Sequence, residues 1–169
     1  MSHHSRSNAG RSSIRKYRES DEAACRACIV ELQDSERQID ARLRRGEEMA
    51  DAYLRDMHAR CRDYAGTILV AEANGVVAGL AMVLAHVPFE SLDERPGSRA
   101  VVAELVVREG FRRRGIGAAL LHEAERYAAE AGATELRISV LSGNHAARHL
   151  YAQWGFTSYL ETLSKEIGS

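Results

Sequence analysis

The sequence predicts one mixed α/β domain, in which helices cover the faces of a central β-sheet. Apolar runs of strand length recur along the chain, and amphipathic segments of helical period separate them. Glycine, asparagine or proline marks most of the boundaries. The resulting order is β-α-α-β-β-β-α-β-α-β, which is typical of a mixed sheet with helices packed on it. The chain of 169 residues is long enough for one sizeable core and leaves little room for a second.

Six segments have the composition of β-strands. Leu136, Ile138 and Val140, for example, alternate with polar residues. The dipeptide Asn74-Gly75 joins two of the strands as a hairpin. The clearest irregular connection is 87–98, which contains both prolines of the chain. The predicted strands are residues 14–17, 67–72, 76–86, 100–107, 136–140 and 156–163.

Four segments carry an apolar stripe of helical period. The first begins at Ser20 or Asp21, since both are good N-cap residues before such a stripe. The third ends at Gly132, a typical helix stop. Between the first two helices, the polar stretch 33–46 is dense in charge and is predicted to be partly helical. The predicted helices are residues 20–32, 47–62, 115–131 and 144–154.

Cys25 and Cys28 form a C-x-x-C pair, a spacing that also occurs in redox and zinc sites. Together with Ile29 and Leu32 they fall on one buried helical stripe. No second ligand pair lies at zinc-site spacing. The total of three cysteines is odd and defines no disulfide framework. We therefore predict that these cysteines, and Cys61 with them, are core residues and that there is no metal site.

Composition and charge exclude several classes of protein. A hydrophobic content of 45% and a charged content of 28% are those of an ordinary globular domain. The formal net charge of −1 argues against a general nucleic-acid binder. No apolar run approaches the ~20 residues that span a bilayer, so no membrane partner is expected. Residues 1–13 lack a secretory signal; we interpret them as a disordered leader before a single cytoplasmic domain, residues 14–169.

Residues 111–117 read Phe-Arg-Arg-Arg-Gly-Ile-Gly, where a predicted strand gives way to a predicted helix. The first turn of a helix presents unpaired N–H groups and the positive end of its dipole. Gly115 and Gly117 let a ligand approach the backbone, and arginines suit phosphate. A phosphate or pyrophosphate is the expected ligand, with a solvated arginine run as the alternative. The Walker and dinucleotide-binding patterns are both absent.

A second motif, N-x-x-A-x-x-L-Y-x-x-x-G-F, follows at 144–156. Its Asn144 and Tyr151 are seven residues apart and so project from one helix face. Arg112-x-x-Gly115-x-Gly117 matches the R/Q-x-x-G-x-G/A acyl-CoA pyrophosphate loop, and with both motifs the sequence resembles the GNAT acetyltransferase superfamily over about 65–163. The resemblance implies the GNAT fold: a mixed, mostly antiparallel sheet of six to seven strands, splayed in the middle and flanked by about four helices.

The resemblance implies an N-acetyltransferase that moves an acetyl group from acetyl-CoA, its co-substrate, to a primary amine. The acceptor would be a small molecule or a peptide, and the amine would attack directly within a ternary complex. No metal is implied. The alternative is a non-catalytic acyl-CoA-binding sensor or interaction module on the same fold. Family habit suggests a homodimer.

By the same resemblance, the splayed sheet and the arginine–glycine loop would hold the cofactor. Backbone groups of 105–107 would bond the pantetheine amides, and the Val106 N–H is the expected donor to the oxyanion. Asn144 would bond the cofactor arm, although an N-cap role fits this residue equally well. The expected cofactor-binding residues are Leu105, Val106, Val107, Arg112, Arg113, Arg114, Gly115, Ile116, Gly117, Ala118, Asn144 and Tyr151.

Two residues match catalytic positions of the family. A lysine-like ammonium has a pKa of about 10.4 and must lose a proton before it attacks. Glu104 matches an acidic position that would take this proton, or would only bind the cationic acceptor. Tyr151 matches the phenol that protonates the leaving thiolate, or would be packed for its ring alone.

The acceptor pocket would be formed by 32–46 and 87–98. Carboxylates in these two segments would suit a cationic amine. They are Asp34, Glu36, Asp40, Glu90, Asp93 and Glu94.

Overall fold

The computed structural model describes residues 12–88 and 97–167, which contain five strands and four helices. Most of the predicted leader and the middle of the predicted loop 87–98 lie outside these residues. Within them, no helix combines the length and the apolar character needed to cross a bilayer. The strands are β1 (Ser13–Lys16), β2 (Thr67–Ala73), β3 (Val76–Leu84), β4 (Arg99–Val107) and β5 (Glu135–Ile138), and the helices are α1 (Glu22–Arg37), α2 (Gly46–Asp63), α3 (Ile116–Glu130) and α4 (His145–Gln153).

The five strands form one sheet in the order β1-β2-β3-β4-β5. The pairs β1–β2, β2–β3 and β3–β4 are antiparallel, and the pair β4–β5 is parallel. The prediction of a mixed, mostly antiparallel sheet is therefore confirmed, with five strands in place of six to seven.

The predicted strand 156–163 is absent from the described structure. Phe156 packs against the core, but the large apolar side chains after it are exposed, from 67% at Tyr159 to 89% at Leu163. A strand exists only where a neighbour supplies hydrogen bonds, and no strand of the described sheet pairs with this segment. The apolar pattern of the segment therefore predicted a strand that has no pairing partner.

The sheet opens between β4 and β5. These strands pair only from Arg99 opposite Glu135 to Val102 opposite Ile138. On its other side, β4 has a β-bulge at Ala103, since β3 pairs with Val102 and then with Glu104. A bulge bends a strand and increases its local twist. The carboxyl-terminal half of β4 thus has a paired edge toward β3 and an unpaired edge toward β5.

Two apolar cores, one on each face of the sheet, hold the helices in place. On one face, Ile29 of α1 and Leu54 of α2 are at most 2% exposed. On the other face, Leu120 and Leu121 of α3 are fully buried against the sheet. Each such side chain stabilises the fold by about 1.5–3 kcal/mol. Both faces of the paired part of the sheet are therefore rigidly supported, which fixes the position of the opening.

Cys25 and Cys28 are fully buried in the core beneath α1, as predicted. Burial raises the pKa of the Cys25 thiol to about 12 and that of the Cys28 thiol to about 11. Thiols with such pKa values stay protonated at neutral pH and are poor nucleophiles and metal ligands. Cys61 is half-buried and packs against the same core.

Helix α1 extends five residues beyond its predicted end, to Arg37. Contacts with the connection to α2 hold this extra turn: the Arg37 guanidinium donates to the Leu43 carbonyl at 2.7 Å, and Asp34 accepts from the Gly46 N–H at 2.8 Å. Only glycine fits at position 46, because a Cβ there would lie 2.6 Å from the Val30 carbonyl oxygen. The extra turn places Glu36 over the opening between β4 and β5.

Candidate active site

A cavity of about 70 Å³ lies where β4 and β5 diverge. Its walls come from α1, β4, the end of β5 and α4. Four side chains that can carry chemistry line it: Glu36, Glu104, Asn144 and Tyr151. The structure thus brings together Glu104, Asn144 and Tyr151, which lie far apart in the sequence. It adds Glu36, which sequence analysis had named only as one of several acceptor-pocket carboxylates.

Glu104 is partly buried and accepts a hydrogen bond from the Tyr53 hydroxyl of α2. Burial raises the pKa of the Glu104 carboxyl to about 7, the hydrogen bond from Tyr53 opposes this, and the negative charge of Glu36 adds to the increase. Burial also raises the pKa of the Glu36 carboxyl. A carboxyl group with a pKa near the working pH can both accept and release a proton, as a general base must.

Tyr151 is 8% exposed, and its ring packs edge to face on Phe156 with centroids 6.0 Å apart. Burial raises the pKa of its phenol to about 12, and the charges of Glu36 and Glu104 act in the same direction. The phenol is therefore protonated at neutral pH. Among the described residues its hydroxyl has no hydrogen-bond partner, although the side chain lines the cavity. The packed ring thus leaves the hydroxyl available as a proton donor.

Asn144 is the N-cap of α4. Its side-chain oxygen accepts a hydrogen bond from the Ala147 N–H at 3.1 Å. The capping role, one of the two alternatives from the sequence, is therefore present in the structure. The side-chain NH₂ group takes no part in that bond, and the residue lines the cavity.

The backbone of β4 offers hydrogen bonds to the opening at alternate residues. The Arg108 N–H donates to the Ala78 carbonyl of β3 at 2.9 Å, and hydrogen-bonded and open pairs alternate along an antiparallel ladder. The Val106 backbone groups therefore face β3, and those of Leu105 and Val107 face the opening. This corrects the expectation that the Val106 N–H binds an oxyanion or the cofactor arm; Leu105 is better placed.

The first turn of α3 leaves backbone N–H groups without a capping side chain. Its N-cap, Gly115, has a left-handed φ of 78° and no side chain caps the helix. The Ala119 N–H donates to the Gly115 carbonyl at 3.0 Å, so the preceding N–H groups, from Ile116 to Ala118, have no partner within the helix. Arg113 also has a positive φ, of 58°. Such turns direct backbone N–H groups toward a bound anion.

Gly117 also sets the distance between α3 and α4. A Cβ at this position would lie 3.1 Å from the Cδ2 atom of Leu150. The glycine thus serves two purposes: close approach of a ligand to the turn and close packing of the two helices that flank the opening.

The three arginines of the loop have different surroundings. The Arg112 Nε donates to the Val107 carbonyl at 2.9 Å, and its guanidinium lies 3.5 Å from Glu31. The Arg114 guanidinium lies 5.7 Å from the centre of the Phe111 ring. Arg112, which matches the family motif, thus braces the loop against β4 and α1.

Glu31 of α1 is a site residue that sequence reasoning missed. Its carboxylate accepts from the Glu109 N–H and lies 3.6 Å from the Arg108 guanidinium as well as beside Arg112. The carboxylate therefore connects α1 to both ends of the turn that precedes α3. No local pattern marks residue 31, because its partners are about 80 residues away in the sequence.

A second, larger cavity of about 470 Å³ adjoins the first. It lies between the end of α1, the connection to α2, and α2 itself, within the predicted acceptor region 32–46. The Tyr53 ring lines this groove and its hydroxyl reaches Glu104, so the tyrosine connects the two cavities.

Of the three predicted acceptor carboxylates among the described residues, two line neither cavity. Asp34 accepts a backbone hydrogen bond at the start of α2, and Asp40 binds the Arg42 guanidinium at 2.7 Å. Glu36 alone of this group lines the cavity at Glu104. The remaining three, Glu90, Asp93 and Glu94, lie outside the described residues. Over residues 12–88 and 97–167, no group of three His, Cys, Asp or Glu side chains is arranged to hold a metal ion.

A splayed mixed sheet with an uncapped helix turn beside the opening defines an α/β domain of the acyltransferase type. A family model described as "Acetyltransferase (GNAT) family" matches residues 29–156. The chain belongs to this family. A search of curated proteins gave no significant match.

Solved structures share the fold at low sequence identity. A putative acetyl transferase from Pyrococcus furiosus is 20% identical, with a TM-score of 0.73 over 93% of this chain and 100% of the other. A transcriptional regulator from Bacillus halodurans C-125 is 21% identical, with the same TM-score and the same coverage. Aminoglycoside N-acetyltransferase AAC(6')-Iy, in complex with the bisubstrate analog CoA-S-monomethyl-acetylneamine, is 20% identical, with a TM-score of 0.64 over 94% of this chain and 99% of the other.

Proposed function

We propose that the protein is an acetyl-CoA-dependent N-acetyltransferase whose acceptor is a primary amine. The observation that carries the proposal is that the carboxyl group of Glu104 and the phenol of Tyr151 line one small cavity at the opening of the sheet. The uncapped first turn of α3 follows β4 after the loop 108–115 and would hold the cofactor pyrophosphate through the N–H groups of 113–118. Membership of the GNAT family and the structures of relatives with CoA support the same assignment.

In this proposal each residue has a defined task. Glu104 accepts a proton from the acceptor ammonium, and the freed amine attacks the thioester carbonyl carbon. The Leu105 N–H donates to the carbonyl oxygen as it gains negative charge. As the C–N bond forms and the C–S bond breaks, Tyr151 donates its proton to the sulfur, and the thiol leaves. The attacking nitrogen, positively charged once the C–N bond has formed, loses its second proton to solvent, and the Tyr151 phenolate takes one proton back from solvent. The proton that Glu104 took also returns to solvent, so the net reaction releases one proton.

Binding of the co-substrate is the first test. Because a ligand that binds only the native state stabilises it by mass action, acetyl-CoA at about 100 times its Kd is expected to raise the Tm by about 8 °C. With a suitable amine the same mixture should release free CoA thiol, measured with a thiol reagent. The absence of any shift at millimolar acetyl-CoA would contradict the proposal. A shift without thiol release over a broad amine panel would favour a non-catalytic acyl-CoA sensor.

Glu31→Ala is expected to weaken CoA binding about tenfold, since it removes a charge-assisted hydrogen bond that holds the turn before α3. Glu31→Gln keeps an acceptor for the Glu109 N–H and should recover part of the affinity. Isothermal titration with CoA measures both. If Glu31 acted only by cancelling the charge of Arg108 and Arg112, both variants would instead bind CoA more tightly than wild type.

A further inference from the structure

The larger cavity, the groove between α1 and α2, is lined by both apolar and charged side chains. Leu43, Met49, Ala52 and the ring of Tyr53 contribute apolar surface. The charged residues at its border are Arg42, Arg44 and Asp56. Which of these charges remains available to a ligand decides what the groove can bind.

Two of the three charges have ionic partners within the protein. Arg42 is held by Asp40, with hydrogen bonds of 2.9 and 2.7 Å from its Nε and Nη2 atoms. Asp56 lies 3.9 Å from Arg60, one helical turn further along α2.

Arg44 is different. Its guanidinium donates to a neutral group, the main-chain carbonyl of Glu48, at 3.0 Å, and no carboxylate among the described residues pairs with it. A guanidinium has five N–H donors, so most of them remain available to a ligand.

The cavity at the opening of the sheet, in contrast, is lined by acidic side chains. Glu36 and Glu104 both line the cavity at the opening of the sheet, and among the described residues neither has a cationic partner within ion-pair distance. Tyr53 spans the two spaces. Two carboxylates therefore line the cavity that the Tyr53 hydroxyl reaches, and apolar side chains and one available guanidinium line the groove that the Tyr53 ring borders.

We propose that the acceptor is an aminocarboxylate: a compound with its primary amine at one end, an apolar body, and a carboxylate at the other end that binds Arg44. The amine lies at Glu104 and Glu36, and the body covers Leu43 and Met49. This inference rests on the proposed acetyl transfer and specifies its substrate class. A polycation such as an aminoglycoside would bring a second positive charge toward Arg44, and like charges repel.

The test compares matched acceptors that differ at one end only. The series consists of ω-aminoalkanoates, the corresponding ω-aminoalkanamides and the corresponding α,ω-diamines, from propyl to octyl chains, with spermidine and neamine as polycations. Initial rates of CoA thiol release give kcat and KM for each. We expect kcat/KM for the best aminoalkanoate to exceed that for its amide about fivefold, through KM, as for a partly solvated ion pair.

Arg44→Gln should abolish this preference and leave the kinetics of the amide unchanged. Arg44→Lys should retain part of it, because the positive charge remains. Arg55→Gln is the matched control: Arg55 is an exposed arginine of α2, the helix that carries Met49 and Tyr53, but it does not line the groove. This variant should behave as wild type.

Three results would overturn the inference: a preference for diamines or polycations, a carboxylate preference that persists in Arg44→Gln, or an equal loss for all acceptors in that variant. Turnover of amines without a carboxylate preference would leave the proposed acetyl transfer standing. If no acceptor released thiol and acetyl-CoA gave no thermal shift, both proposals would fall.

Discussion

Glu104→Gln is expected to lower kcat by about a hundredfold or more, because a general base contributes on the order of 10²–10⁴ to the rate. The amide matches the carboxylate in shape and still accepts a hydrogen bond from Tyr53, so the cavity should keep its form. Acetyl-CoA binding, measured by thermal shift, should be unchanged. Steady-state kinetics with any acceptor that supports turnover measures the loss.

The pH profile tests whether the ionised form of Glu104 is the active one, and the split between kcat and KM distinguishes a base from a binding residue. A base must be ionised, and the pKa of Glu104 is raised to about 7 by burial. Wild-type kcat/KM should therefore rise with pH and level off above about 7, and Glu104→Gln should lack this limb. If the carboxylate only bound the ammonium, Glu104→Gln would raise the acceptor KM and leave kcat near the wild-type value.

Stability provides an independent measure of the same pKa. The native pKa of Glu104 lies above its ordinary value of 4.5, so the native state binds the proton more tightly than the unfolded state does. Its ionisation consequently destabilises the native state as the pH rises from about 4.5 to about 7. Glutamine carries no charge at any pH. The Tm of Glu104→Gln should exceed that of wild type at pH 8, and the difference should disappear below about pH 4.5.

Tyr151→Phe is expected to lower kcat by about a hundredfold, because the leaving thiolate loses its proton donor. The ring and its packing on Phe156 remain, so the affinity for CoA should change less than twofold. Kinetics and titration with CoA on the same preparation separate these effects. An unchanged kcat would show that the thiolate is protonated by another group and that Tyr151 serves only for packing.

Tyr127→Phe is the matched control for this experiment. Tyr127 is a partly buried tyrosine of α3 whose hydroxyl donates to the Ala65 carbonyl at 3.0 Å, and it does not line the cavity. Loss of this hydrogen bond should lower the free energy of unfolding by about 1 kcal/mol and leave kcat unchanged. A similar loss of kcat in both variants would indicate a general effect of removing a tyrosine hydroxyl.

Local patterns predicted correctly those features that depend on nearby residues. The helical stripe that contains Cys25 and Cys28 identified them as core residues, because a stripe of period 3.6 must face the sheet. The Arg-x-x-Gly-x-Gly pattern identified an open helix turn, and Gly115 has the left-handed conformation that glycine adopts readily. The Asn74-Gly75 dipeptide likewise identified the β2–β3 hairpin.

Predictions failed where the outcome depends on a partner distant in sequence. The segment 156–163 has strand composition, but no strand of the described sheet lies beside it to pair with it. Val106 lies in the predicted strand, yet the register with β3 turns its N–H away from the opening. Glu31 has no motif, and only the packing of α1 beside the β4–α3 turn gives it a role.

The sequence by itself determined the class of fold, the anion-binding turn and the residue types available for acid–base chemistry. These follow from the period of apolar residues, the conformational freedom of glycine and the intrinsic chemistry of side chains. Only the tertiary structure decided that β4 and β5 part after Val102, that Glu36 joins Glu104 at the opening, and that Arg44 borders the groove with no carboxylate partner among the described residues. Burial and pairing are relations between distant segments, and these relations set the pKa values of Glu104 and Tyr151.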